Sequence, residues 1–431
     1  MINHWDIFAL LRPAHTAENQ INCLHWSMKP HQLSRPAFTP VVFLFLALVA
    51  WPINGKTQGQ PPAQDALTRS GFDHFYSLEY DQAIQDFQKV ADAHPDDPNA
   101  WNHLLEAVLY QQLYEYDALD TSLYTHESFI SSKQIFLPEP VKQQIKDLTD
   151  KALDLSEKRL KANPNDVQAL YTRGATKGLR ATYLTLVEHA WFSALRNALA
   201  ARHDHEEVLR LKPDFVDAKT IVGAHNYVVG SLSTPMKIMA GVTGIHGDKN
   251  KGLSYLFEVA KAGGEGSSDA RVALSLFLRR EQRYKEAIQV AHSLVQDHPR
   301  NFLFAMEEAN LMKDAGQGPV AVTAFRVLLE RCKQGKYPNA HIEMGAYAYA
   351  DALRGQNQLP EAVQAYQAAG NSNSKNKELR QRALLSAGEV SDLINHRDEA
   401  LKQYRAAIAL DSSSNEADTA RKRLNKPYQG H

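Results

Sequence analysis

Cysteine is almost absent: Cys23 and Cys332 are the only thiols among 431 residues. Neither a disulfide framework nor a cysteine-based zinc site can be assembled from them. An excess of either charge is missing too, since 48 Lys and Arg stand against 49 Asp and Glu, for a formal net charge of -1. Such a chain offers no basic field to a phosphate backbone, which argues against nucleic acid as a partner.

Catalytic signatures are equally scarce. The sequence holds no H-E-x-x-H and no G-x-S-x-G. Gly247 and Gly252 have the separation of a phosphate-binding loop, but Leu253 stands where that loop needs lysine. The stretch reads instead as a turn entering a helix, with Asp248 as its N-cap. His203 and Glu207 are i,i+4 neighbours that could share a metal ion, yet no third ligand accompanies them, and solvated helix charge is the simpler reading. Ser372 and Lys375 match S-x-x-K in a polar loop without companion motifs. No cofactor and no metal is expected, and Cys332 reads as a packing residue.

Long apolar runs are represented once, by Val41–Trp51 (VVFLFLALVAW), which is shorter than the roughly 20 residues of a membrane span. Basic residues precede it and PINGKTQGQPPAQ follows, the layout of a secretory signal peptide with Thr57–Gln58–Gly59 as the best cleavage candidate. An uncleaved signal anchor, and so a membrane tether, is the alternative. Residues 28–59 form this unit; Met28 opens a more conventional signal than Met1, so 1–27 is expected to be untranslated or an extension. The expected location is outside a bacterial cytoplasm, in the periplasm or anchored at the inner membrane.

What the chain has in plenty is one spacing. In YDQAIQDFQKVADAHPDDPNAW (Tyr80–Trp101), Ala83, Phe87, Pro95 and Trp101 follow Gly71 at set intervals. Tyr284, Ala287 and Pro299 repeat the offsets; Ala321 and Phe325 repeat the alanine-to-aromatic interval after Gly316, as do Ala362 and Tyr366 before Ala369, and Gly388, Ala400 and Tyr404 before Ala407. Weaker copies run through Ala152 to Pro164 and Ala201 to Pro213, with Gly174 and Gly223 after the prolines. These residues resemble the tetratricopeptide repeat (TPR), a helical hairpin of about 34 residues. Small residues let two antiparallel helices approach, the aromatic four residues on fills the space beside their crossing, and proline ends the unit. One hairpin cannot bury its own apolar faces, so neighbours must stack. The expected fold is all-α, a right-handed α-α superhelix (solenoid) of such hairpins.

Departures from the spacing divide the chain: N-terminal hairpins over 60–113, an insertion over 114–143, and long central helices over 144–229, where Leu184, Val187, Trp191, Leu195 and Ala198 make one apolar stripe. A Gly-rich interruption covers 230–266, a second array 267–414, and a capping helix with a tail 415–431. Around GIHGDKNKGLSYL the chain is also similar to a eukaryotic TPR family associated with lipid droplets and inclusion-body clearance, a likeness that implies structure and no function.

The TPR resemblance implies that the first helix of each hairpin lines a concave groove that binds peptides. Its groove positions fall on Arg279, on Asn310 and Lys313, on Tyr347, Asp351 and Arg354, and on Arg382, Glu389 and Asp392. Their mixed charge does not match a carboxylate clamp. The expected function is therefore a non-enzymatic scaffold or adaptor for an unidentified protein or peptide. A carrier of lipid or another apolar ligand, using Trp191–Phe192 and 235–247, is the main rival. An enzyme hidden in 230–266 is the other.

Overall fold

The computed structural model describes residues 63–125, 135–234, 237, 241, 244–264 and 266–430, all within one compact unit. The apolar run Val41–Trp51 and the two candidate start sites lie outside these residues. Seventeen α-helices make up the described chain. They are α1 (Ala63–Tyr76), α2 (Tyr80–Ala93), α3 (Pro98–Glu115), α4 (Glu139–Ala162), α5 (Val167–Leu186) and α6 (Trp191–Leu211). Then come α7 (Lys219–Gly230), α8 (Lys249–Ala262), α9 (Ser267–Arg280), α10 (Tyr284–Asp297), α11 (Phe302–Asp314) and α12 (Gly318–Lys333). The last are α13 (Ile342–Gly355), α14 (Leu359–Gly370), α15 (Lys377–Leu393), α16 (Arg397–Leu410) and α17 (Asn415–Asn425). Each packs on the next in chain order, which makes the described residues an all-α solenoid of TPR-type hairpins. No helix among them is long and apolar enough to cross a membrane.

Two local devices recur. The turn inside a hairpin places one residue in the left-handed region: Leu78, Gln282, Gly316, Asn357 and Asn395. A backbone bond then reaches back over the helix end, from Glu79 to His74, Arg283 to Leu278, Gln317 to Met312, Gln358 to Leu353 and His396 to Ser391, at 2.8–3.0 Å. The turn between hairpins uses proline followed two residues later by a capping side chain: Pro95 with Asp97, Pro164 with Asp166, Pro299 with Asn301. Those caps accept backbone N–H groups that the new helix would otherwise leave unpaired. Trp101 fixes the first such turn, its indole donating to the Pro95 carbonyl at 2.9 Å.

The motif glycine marks the closest approach within a hairpin. A Cβ on Gly71 would stand 2.5 Å from the Phe87 ring, and one on Gly388 would stand 2.5 Å from the Tyr404 ring. In the α5–α6 hairpin the residue four after Ala201 is His205, and it takes the aromatic's place against Gly174. The central apolar stripe is not one surface. Helix α5 stops at Leu186, His189 adopts φ +52°, and Trp191 starts α6, so the stripe is split across a turn. The interruption at 230–266 contains α8, which is the partner of α7; Asp248 caps it by accepting from the Lys251 N–H at 2.9 Å.

The chain also returns on itself. Tyr76 stacks on His298 and donates its hydroxyl to Asp269 at 2.9 Å, while Arg300 pairs with Asp73 at 2.7 Å. Tyr114 donates to the Asn339 carbonyl at 2.6 Å and stacks on His341. This closure buries Asp269, and Asp217 lies buried nearby; loss of solvation pushes their carboxyls up to about 8 and about 7. Burial pushes His205, His225 and His298 down to about 4.

The two sets act with opposite sign on stability. A carboxyl raised in the folded state contributes stability at low pH that is lost as pH rises through its folded value. A buried neutral histidine contributes stability above its unfolded value that is lost as pH falls. Stability is thus expected to peak between about pH 5 and 7 and to fall toward pH 8, by at most about 1.4 kcal/mol per pH unit for each carboxyl. Thermal unfolding of the Asp217→Asn, Asp269→Asn double variant should lose that alkaline fall. An unchanged slope in the variant would show that other groups cause it.

Candidate binding groove

Four first helices, α9, α11, α13 and α15, carry the nine groove positions, and the structure gives them three different fates. Arg279 is consumed by packing. Its guanidinium pairs with Glu307 at 3.2 Å and donates to Asp314 at 2.7 Å, and the side chain is 6% exposed. The Ser275 hydroxyl completes the lock by donating to Glu307 at 3.0 Å. Arg279 is therefore a tie between α9 and α11.

Five positions converge. Asn310, Lys313, Tyr347, Asp351 and Arg382 line one cavity of ≈ 180 Å³. Asn310 is 3% exposed. Arg382 lies over the Tyr347 ring at 5.6 Å, which leaves its buried Nε without a partner. Lys313 forms no ion pair among the described residues and acts on Asp351 only at longer range. Asp351 accepts from the Tyr366 hydroxyl, and burial pushes its carboxyl up; burial likewise raises the Tyr347 phenol to about 12. One wall of the cavity thus presents an amide and two cations, with the Arg382 Nε unpaired.

The opposite wall comes from residues that the repeat spacing does not reveal. After α3 the chain passes Asp117, which has φ +57°, and enters a short 3-10 turn, Thr121–Thr125, laid across α9 and α11. Asp117 accepts from His341 at 2.6 Å and from Asn376, so one carboxylate ties this stretch to two loops of the array. Asp120 and Ser122 complete the wall, and burial raises the Asp120 carboxyl. No motif in 114–143 announces this placement. The one hint in the sequence is that a polar insertion directly follows a helix of the first array.

Arg354, Glu389 and Asp392 lie outside the cavity; Arg354 and Asp392 meet the segment that follows α17, and Glu389 meets α17 itself. Glu389 sits 3.8 Å from Arg354 and 3.5 Å from Arg423, while Asp392 is held by Arg397 at 3.0 Å and by the Tyr404 hydroxyl at 2.7 Å.

The stretches that the rival functions would use have other employment. Gly252 lies in the α7–α8 contact, where an added Cβ would stand 2.5 Å from the Tyr227 nitrogen and 2.6 Å from the Gly223 oxygen. Glu207 pairs with Arg210 at 2.5 Å, and both ring nitrogens of buried His205 face carbonyls of Ala218 and Tyr171. Phe192 is 86% exposed and lines no cavity described here; Pro235 and Met236 lie outside the described residues. An apolar cavity does exist between α1–α3 and α9–α11, lined by Phe75, Tyr80, Tyr110 and Phe304, but its volume is ≈ 90 Å³. A cavity of about 150 Å³ holds a benzene ring, so this one has no room for an acyl chain. Cys332 is buried, and loss of solvation pushes its thiol up to about 11, far from a nucleophile's range.

No protein-family model matches the chain, and no curated protein matches it. Among solved structures it is similar to a tetratricopeptide repeat protein from Parabacteroides merdae, at 12% identity and TM-score 0.33, over 74% of this chain and 98% of that one. It is also similar to the human IFIT1 dimer with m7Gppp-AAAA, at 14% identity and TM-score 0.40, over 84% of this chain and 87% of the other.

Proposed function

We propose that the protein is a non-enzymatic scaffold that holds an extended segment of another protein in the cavity between α11, α13 and α15 and the Asp117–Ser122 wall. The observation that carries this reading is the buried, partnerless Arg382 Nε in a cavity that Asn310 and Lys313 also line. A peptide backbone offers carbonyls to such donors and N–H groups to acceptors such as Asp117 and Asp120, so the two unlike walls suit an extended chain. Lys313 and Arg382 would favour an acidic side chain beside it. The scaffold would work outside a bacterial cytoplasm, in the periplasm or at the inner membrane, a placement that rests on the signal-like run at Val41–Trp51.

Two measurements test this reading. Cross-linking capture from cell-envelope extract should yield one dominant protein with the wild type and lose it with Lys313→Glu plus Arg382→Glu. Equal capture by both would remove the cavity from the account. For location, a reporter that becomes active only where disulfides form is fused after Gln60, and it should be active. An inactive fusion that is stably expressed would overturn the envelope placement.

A further inference from the structure

The far end of the groove is filled by the chain itself. Beyond α17, Lys426–Gly430 carries no regular structure. The Tyr428 backbone N–H donates to Asp392 Oδ2 at 2.9 Å, and Arg354 Nη2 donates to the Tyr428 hydroxyl at 3.0 Å. The guanidiniums of Arg354 and Arg423 lie over the phenol ring, 5.5 and 4.7 Å from its centroid. Tyr428 is half-buried, whereas Lys426, Pro427, Gln429 and Gly430 are exposed.

The surroundings of the ring stay assembled by contacts of their own. Arg397 holds Asp392 through one nitrogen, at 3.0 and 3.1 Å to its two oxygens, and through the other donates to the carbonyls of Arg423 and Leu424 at 2.8 and 2.7 Å. Tyr404 donates to Asp392 at 2.7 Å, and Glu389 sits between the two arginines that cover the ring. A preorganised polar site thus holds an occupant through one side chain and one backbone group, the arrangement of a receptor with an exchangeable ligand.

We propose that Arg354, Asp392 and Arg423 form a docking site for an extended partner segment carrying Tyr-x-Gly, and that Tyr428–Gln429–Gly430 fills it in cis until the partner displaces it. Tyrosine is selected because its ring accepts both cations and its hydroxyl accepts from Arg354. Glycine is selected two positions later because Gly430 has φ +76° and an added Cβ would stand 3.2 Å from Leu393 Cδ2. The tethered segment is present at an effective concentration of the order of millimolar, so a free segment must compete with it. This site does not involve Lys313 or Arg382, and its failure would leave the cavity reading standing.

The test uses a dye-labelled Lys-Pro-Tyr-Gln-Gly peptide, titrated by fluorescence anisotropy into the full chain and into full-chain Tyr428→Ala. The variant should bind the peptide at least about tenfold more tightly, because the competing segment is disabled. Peptides with alanine for the tyrosine, or valine for the glycine, should lose that binding. Arg354→Gln in the Tyr428→Ala background should abolish it; if that variant loses its helical circular dichroism, Arg423→Gln replaces it. Equal affinity for wild type and Tyr428→Ala, no binding to either, or binding that survives loss of the arginine would each overturn the proposal.

Discussion

Arg279→Met is expected to lower the free energy of unfolding by about 3–5 kcal/mol, because it leaves Glu307 charged and unpaired in the interior. The pair is desolvated on both sides, with side-chain exposures of 6% and 9%, so solvent screening does little to reduce the effect. The penalty should depend on pH. Burial already raises the Glu307 carboxyl even with Arg279 present, and removing the cation raises it further. Lower pH lets the carboxyl protonate and shed its charge, so the loss should be larger at pH 8 than at pH 5. Urea unfolding at both pH values measures this, and adding Glu307→Gln should recover much of the loss. A cost below about 1 kcal/mol would mean that Arg279 is a surface residue in effect, and would return it to the pool of ligand-binding candidates.

Gly174→Ala and Gly178→Ala should act in opposite directions, although the two glycines sit one turn apart on α5. A Cβ at Gly174 would stand 2.3 Å from His205 Cδ2 and 2.8 Å from Nε2. That ring is fixed between the Ala218 and Tyr171 carbonyls, at 3.3 and 3.2 Å, and cannot swing aside. Overpacking of this kind costs about 1–3 kcal/mol, which outweighs the gain of up to about 1 kcal/mol from replacing glycine within a helix. At Gly178 the nearest neighbour would be Ile221 Cδ1 at 3.4 Å, an ordinary contact. There the helix-propensity gain should stand alone, and the variant should unfold at a higher temperature than wild type. Thermal melts of the two variants side by side decide the matter. A stabilised Gly174→Ala would mean that the α5–α6 crossing is looser than described.

The hairpins were legible because their causes are local. The intervals Gly71, Ala83, Phe87, Pro95 and Trp101 encode a close helix crossing, an aromatic filler, a turn and an indole bond, all within about one repeat length. Asp248 as a cap is likewise a matter of a few neighbouring residues. His205 shows where such reading thins. Its spacing from Ala201 puts it in the aromatic's place, but a histidine there does not announce its burial against Gly174.

The resemblance to the repeat family implied which positions line a groove, and five of those nine lie around one cavity. What occupies the rest of the groove was decided by tertiary structure. Arg279 finds its partners in the next unit, 28 and 35 residues away on α11, where stacking permits the contact but the motif does not name it. Asp117 reaches His341 and Asn376 across 224 and 259 residues, and Tyr428 reaches back to Arg354. A solenoid specifies contacts between successive units, since each buries the apolar face of the next. Contacts made where the chain returns across its own groove follow no period, so no spacing in the sequence could announce them.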